Sequence, residues 1–214
     1  MNQHIDIYCE RVGQTFWAEP VNALTNISFF IAAFLAFQFA RQQKMINWDI
    51  NLLLFLLVLI GCGSSLFHTF ATKWSALADV LPILLFQIIF IISYSLRVMD
   101  FKKWQMLLLL FVFFSMIVSS SQLPAEWLNG SFTYFPALIC LLGFGLYHFI
   151  THQKERPILL IAAFIFIVSL FFRSIDMVVC STVSLGTHFI WHILNGVTLY
   201  LSLRGLVRGI NPSS

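Results

Sequence analysis

An all-α bundle of seven membrane-spanning helices is the fold that three features of the chain predict. The composition is that of a protein whose main solvent is lipid: charged residues make up 10% and hydrophobic residues 59%, against about 25% charged in a soluble domain. The apolar residues fall in continuous runs near the roughly 20 residues that cross a bilayer core, not in the alternating pattern of barrel strands. Basic residues gather in every second loop. The 24 phenylalanines suit acyl-facing surfaces and the gaps between helices. The net charge of +3 sits in short loops, so no nucleic-acid partner is expected.

Residues 1–20 read as a polar segment with Asp6, Cys9, Glu10, Arg11 and Glu19, and with Trp17 as an interfacial aromatic. They lack the apolar stretch of a cleavable signal peptide. The first span is expected at 21–40, with Asn22 and Asn26 in its opening turns, and Arg41, Lys44 and Asp49 follow it. The second is expected at 50–70 and closes on Gly61-Cys62-Gly63-Ser64-Ser65-Leu66-Phe67-His68. After Lys73 the third runs over 75–96, with Asp79 and Pro82 near its start, and leads to Arg97, Asp100, Lys102 and Lys103. The fourth covers 104–120, and Pro124, Glu126 and Gly130 mark a loop. The fifth covers 132–150 and the sixth 157–172, separated by His152, Lys154, Glu155 and Arg156. Arg173, Asp176 and Cys180 precede the seventh, at 183–203, which ends near Arg204 and Arg208. One membrane domain at 21–208 is therefore expected, between an extracytoplasmic segment 1–20 and a tail at 209–214.

Orientation follows from the basic residues. One side holds Arg41, Lys44, Arg97, Lys102, Lys103, Lys154, Arg156, Arg204 and Arg208; the other holds Arg11, Lys73 and Arg173. The positive-inside rule puts the first set in the cytoplasm, the N-terminus outside and the C-terminus inside.

Placed by depth, His68, Asp79, His188 and His192 all fall toward the outer leaflet. His188 and His192 stand four apart, on one helix face and one turn of about 5.4 Å from each other. Ser64 shares the His68 face one turn deeper. Intramembrane histidines are costly and read as functional. Three neutral imidazoles suit zinc and leave a fourth position for water, whose pKa the metal lowers to about 7. A carboxylate at Asp79 can take that water's proton, and Ser64 can donate to a developing oxyanion. Simpler roles compete: a histidine bonded to a neighbouring helix, Asp79 favoured by a helix dipole, Ser64 in a small-residue packing contact beside Gly61 and Gly63. His148 and His152 repeat the four-residue spacing at the opposite side, without a carboxylate, and read as interfacial. His4 reads as a solvated terminal residue.

These residues also resemble a family. Gly63-Ser64-x-x-Phe67-His68, then Asp79 and Pro82, is similar to the alkaline ceramidase pattern. So are Arg173-x-x-Asp176-x-x-x-Cys180, His188-x-x-Trp191-His192-Ile193-Leu194-x-Gly196-x-x-x-Tyr200, and the opening Tyr8-Cys9-Glu10 with Trp17-Ala18-Glu19-x-x-Asn22-x-x-x-Asn26. The wider superfamily includes adiponectin-receptor-like proteins with a seven-helix fold and a zinc site. The resemblance implies a zinc amidase that cleaves ceramide or another N-acyl membrane lipid to a fatty acid and a free amine. It places zinc on His68, His188 and His192 and the water-contacting roles on Ser64 and Asp79. It also implies a pairing of Cys9 with Cys180, the alternative being two free thiols on separate loops; Cys62 and Cys140 fall inside apolar runs and are expected reduced.

The family binds calcium near the N-terminus, and Tyr8 (by its carbonyl), Glu10 and Glu19 match ligand positions. Ile7 stands where an aspartate is expected, Val12 replaces an asparagine, and the segment from Cys9 to Glu19 is short. Calcium takes about six or more oxygens, so these departures weigh against it. The small chain and the short loop from Cys180 to His188 suggest a bacterial member, in the cytoplasmic membrane with its site toward the periplasm rather than in an ER or Golgi membrane. A non-enzymatic lipid receptor with structural zinc is the competing class, and a bis-histidine haem protein a third. Oligomeric state is left open by the sequence.

Overall fold

The computed structural model describes residues 3–124 and 127–210. The expected loop marker Glu126 and most of the expected tail, 211–214, lie outside the described residues. No β-strand occurs among those described; a single bridge joins His4 to Thr72.

Helices α1 (Pro20–Thr25) and α2 (Ile27–Gln42) form one run interrupted at Asn26. Pro20 opens it at a position where the missing N–H is not needed. The Asn26 side-chain amide bonds back to the Asn22 carbonyl at 3.0 Å, the local competition by which asparagine loosens a helix. Helix α3 (Trp48–Phe70) stops at Ala71, whose φ of 44° is left-handed. Helix α4 (Lys73–Arg97) starts two residues later on a Thr72–Ser75 capping box. Helix α5 (Lys103–Ser121) buries Phe113 inward and turns most of its surface outward. A 3₁₀ segment, Trp127–Tyr134, carries left-handed Leu128, Asn129 and Gly130. Helices α6 (Phe135–Ile150), α7 (Ile158–Ile175) and α8 (His188–Gly209) complete the order.

Each helix packs on the next, and α8 packs back on α2, so the bundle closes as a ring. Six of the helical runs are long and apolar enough to cross a membrane: Pro20–Gln42, Trp48–Phe70, Lys73–Arg97, Lys103–Ser121, Trp127–Ile150 and Ile158–Ile175. This is the make-up of an integral membrane protein. Helix α8 is 22 residues long but less apolar.

The expected seventh run began at Val183, and α8 begins at His188. Apolar Val183 and Leu185 read as helix, yet the chain turns there through Gly186 at φ +65°. A Cβ on Gly186 would strike the Asp176 carboxylate and Cys9, so glycine is required on two counts. The fifth apolar run, expected at 132–150, begins earlier, at Trp127, and its first part, 127–134, is the 3₁₀ segment, so that the α-helix itself starts at Phe135.

One close approach sets the site. Pro82 has no N–H for the carbonyl of Ala78, four residues earlier. Gly63 faces that carbonyl, and a Cβ there would collide with it. The α3 and α4 backbones therefore touch between Ser64 and Asp79.

Opposite the histidines, charges pair. Arg97 donates to both Asp49 oxygens at 2.7 and 2.8 Å. Glu155 takes Arg204 and Arg208 at 2.7 Å each, and the hydrogen bonds, that of Arg204 first, hold its carboxyl below the usual range.

Cys9 and Cys180 form a disulfide with a Cα–Cα distance of 5.4 Å across 171 residues. Closing so long a loop is worth about 5 kcal/mol in the chain-entropy picture, an upper figure because a bilayer already restrains the unfolded chain. Non-reducing peptide mapping of protein matured in its own membrane should recover Cys9 and Cys180 in one linked peptide pair. A free Cys9 thiol there would refute the bridge.

Candidate metal centre

His68 comes from the last turn of α3, and His188 and His192 from the first turns of α8. All three are buried, and one ring nitrogen from each lies within 4.8 Å of the others. Two of the rings are held through one nitrogen and the third by stacking. His68 Nδ1 meets Glu19 Oε2 at 2.6 Å. His192 Nδ1 meets Thr25 Oγ1 at 3.0 Å, and Ser28 donates to the His192 carbonyl at 2.9 Å. The His188 ring stacks on Tyr8 with centroids 3.6 Å apart.

His192 Nε2 and His188 Nδ1 are buried without a hydrogen-bond partner among the described residues. Unpaired buried nitrogens are costly and rare in a folded chain. Two of them, on rings that cluster with a third imidazole, make a donor set for a metal ion. The carboxylate behind His68 is the usual outer partner of a metal-ligating histidine, fixing tautomer and ring orientation.

The start of α8 is held as firmly. Asp176 Oδ1 accepts the N–H groups of Thr187 at 2.7 Å and His188 at 2.9 Å, and Oδ2 accepts that of Cys9 at 2.9 Å. This satisfies donors that a helix N-terminus leaves open and places a negative charge where the dipole favours it. Arg173, also buried, bonds to the Asn129 carbonyl and to Ser131 Oγ, and lies over the Tyr134 and Trp191 rings.

Ser64, Asp79, His188 and His192 line one end of a cavity of about 100 Å³ inside the ring. Phe86, Phe90 and Phe144 line its other part. The residues expected together by depth are thus brought to one space, and His68 stands beside His188 and His192 with ring centroids 5.1 and 4.7 Å away.

The residues matched to calcium have other partners. Glu10 accepts the backbone N–H groups of Val21 and Asn22, one on each oxygen, both at 2.7 Å; it caps α1. Glu19 accepts from Arg11, from Asn22 at 3.0 Å and from His68. Burial alone would raise the Glu19 carboxyl, and the His68 and Asn22 hydrogen bonds with the Arg11 charge outweigh it, holding it below the usual range. The Tyr8 carbonyl accepts the Arg11 N–H at 3.2 Å. Ile7 and Val12 are exposed and bring no side-chain oxygen. These residues do not fit a calcium ion.

His148 differs from its expected interfacial setting. It is fully buried, bonded to the Tyr94 hydroxyl at 2.9 Å and near the Lys154 carbonyl at 2.9 Å. With both nitrogens engaged it is a core histidine. Sequence reasoning misses the Glu19–His68 contact, the Thr25–His192 contact and the Asp176 cap. The Asp176 cap carries a usable signal, an acidic residue in the loop before a helix; the other two join residues 49 and 167 positions apart.

A search of curated proteins finds no match to the chain. A family model described as Ceramidase matches residues 5–207, almost the whole of the ring and its histidine centre, and the chain belongs to the ceramidase family of amide-bond hydrolases.

Proposed function

We propose that this protein is a zinc-dependent intramembrane hydrolase that cleaves the amide bond of ceramide or a related N-acyl lipid to a fatty acid and a free amine. The observation that carries this reading is the pair of orphaned, buried nitrogens on His188 and His192, two residues that cluster with His68 and line a largely apolar cavity. Three histidines and an adjoining cavity are the donor set of a catalytic zinc site, which keeps a position open, rather than of a closed structural one.

His68, His188 and His192 would hold the zinc, with Glu19, Thr25 and Tyr8 setting their rings. Bound there, zinc supplies Lewis acidity and an activated water at neutral pH. Asp79 takes a proton from the attacking water on a carboxylate oxygen and returns it to the leaving amine nitrogen. Ser64 Oγ donates to the amide carbonyl oxygen as negative charge grows on it. The phenylalanine-lined part of the cavity takes an acyl chain and excludes water around the scissile bond.

We further place α8 as a seventh span. Its length, about 33 Å for 22 residues, covers a bilayer core. Its polar residues His188, His192, Asn195, Thr198 and Ser202 are buried in the ring, which lowers its hydropathy without exposing polarity to lipid. The basic end of the bundle then faces the cytoplasm, and the histidine end the periplasm of a bacterial membrane. Residues 21–208 make the hydrolase domain, after an extracytoplasmic segment 1–20.

Elemental analysis of purified protein, with lipid mass spectrometry after incubation with mixed N-acyl lipids and esters, tests this. About one zinc per chain and release of fatty acid with the matching amine are expected. Zinc without turnover of any amide would turn the reading to a lipid receptor. Ester turnover alone would remove the amidase assignment.

A further inference from the structure

Arg11 is a buried cation in a seat built of oxygens. Its side chain and that of Glu19 are each only 2% exposed. Nε donates to Glu19 Oε1. The two terminal nitrogens donate to the His68 carbonyl at 3.0 Å and the Gly13 carbonyl at 3.4 Å. The His68 carbonyl belongs to the last turn of α3, where carbonyls lack helical partners and the dipole favours positive charge. A carboxylate and backbone carbonyls converging on one positive charge is the environment a hard divalent cation takes. A guanidinium, planar and permanently charged, fills such a seat with its fixed fork of donors.

The seat connects directly to the histidines. Glu19 uses one oxygen for Arg11 and the other for His68 and Asn22. Without a cation beside it, a carboxylate this buried is an uncompensated charge. The Arg11 contact fixes the Glu19 oxygen that does not meet His68, and through the rigid carboxylate the one that does. Glu10, the second carboxylate of the segment, is fully engaged by the N-terminus of α1 and cannot recruit a metal.

We propose that Arg11 is a positioning residue whose guanidinium permanently occupies the seat a divalent cation would take, so that the His68 arm of the centre is set without calcium. The zinc arm of the test rests on the reading given under Proposed function; the calcium arm does not.

The full chain in detergent is stripped of divalent ions on a chelating resin and reloaded with one equivalent of zinc. Calcium is then added up to about 5 mM, above the weakest protein sites near 10⁻³ M. Melting temperature and zinc affinity should not change. A calcium-dependent rise in melting temperature of the unaltered protein would overturn the proposal. Arg11→Gln should lower zinc affinity about 10–100-fold, the usual effect of losing an outer partner of a ligating histidine. Arg11→Lys should recover part of it, restoring charge beside Glu19 without the two-carbonyl fork. Wild-type zinc affinity in Arg11→Gln would also overturn the proposal. If Arg11→Gln does not fold, the calcium titration of the unaltered protein still decides. If the unaltered protein takes up no zinc, the zinc reading falls, and its melting response to calcium alone judges Arg11.

Discussion

Alanine at His188 or His192 should remove the metal and take hydrolysis to background. Each ring is one of three buried donors in a centre where one nitrogen from each lies within 4.8 Å of the others. Removing one leaves two imidazoles, fewer than the three protein ligands of a catalytic zinc site. Loss of an outer partner costs metal affinity about 10–100-fold, and loss of a ligand costs more. The His192 variant takes one partner from Thr25 Oγ1, which keeps the Val21 carbonyl, and the His188 variant unstacks Tyr8, but both leave the Asp176 cap on α8 intact. Folding should therefore survive while the metal does not, which circular dichroism and elemental analysis separate. His148→Ala is the control. It takes the 2.9 Å partner from the Tyr94 hydroxyl, which keeps the Phe144 carbonyl at 3.4 Å, at a cost of about 0.5–1.5 kcal/mol in stability, and should keep the metal. Unchanged metal content in both His188→Ala and His192→Ala would sink the ligand assignment; loss in His148→Ala would mean the wrong pair was chosen.

Asparagine at Asp79 should keep the metal and lower turnover about 10²–10⁴-fold, the usual contribution of a general base. The substitution preserves shape and leaves the three histidines untouched, so metal content should hold. The competing role, a carboxylate favoured by the α4 dipole, predicts something else: a small change in melting temperature and near-normal turnover. Measuring kcat beside melting temperature tells the two apart. Near-normal kcat removes Asp79 from the mechanism. Ser64→Ala, if the hydroxyl donates to the carbonyl oxygen, should cost about 10²–10³-fold. Should Ser64 only fill space at the α3–α4 contact, turnover would stay close to that of the unaltered protein.

Much of this centre is legible in the amino-acid sequence. Histidines inside apolar runs announce themselves, because lipid gives them no partner. The four-residue spacings put His188 beside His192 and Ser64 beneath His68. What stays hidden depends on pairs remote in sequence. Glu19 reads as an oxygen ligand for a free ion, since no rule of spacing ties it to His68 or reveals that Arg11 folds back onto it. Glu10 reads the same way, yet it meets the N–H groups of Val21 and Asn22, a cap formed from 11 and 12 residues upstream. His148 looks interfacial at a helix end, and Tyr94 from α4 encloses it. Val183 and Leu185 carry helical hydropathy, while Gly186 and the Asp176 carboxylate dictate a loop. Helix α8 is the reverse case: its inward polar stripe makes a bundle helix look less apolar than its neighbours.

The bridge from Cys9 to Cys180, together with the Asp176 carboxylate that grips Cys9 and His188 at once, has a consequence for biogenesis. Cys9 leaves the ribosome 171 residues before Cys180, so their meeting awaits synthesis and insertion of the helices between them. Until then Glu19 and His68 have no second or third imidazole to work with. Acquisition of an ion by the three histidines would thereby be tied to assembly of α8 onto the earlier helices, and a chain released before α8 would carry Cys9 unbridged and one histidine of the three.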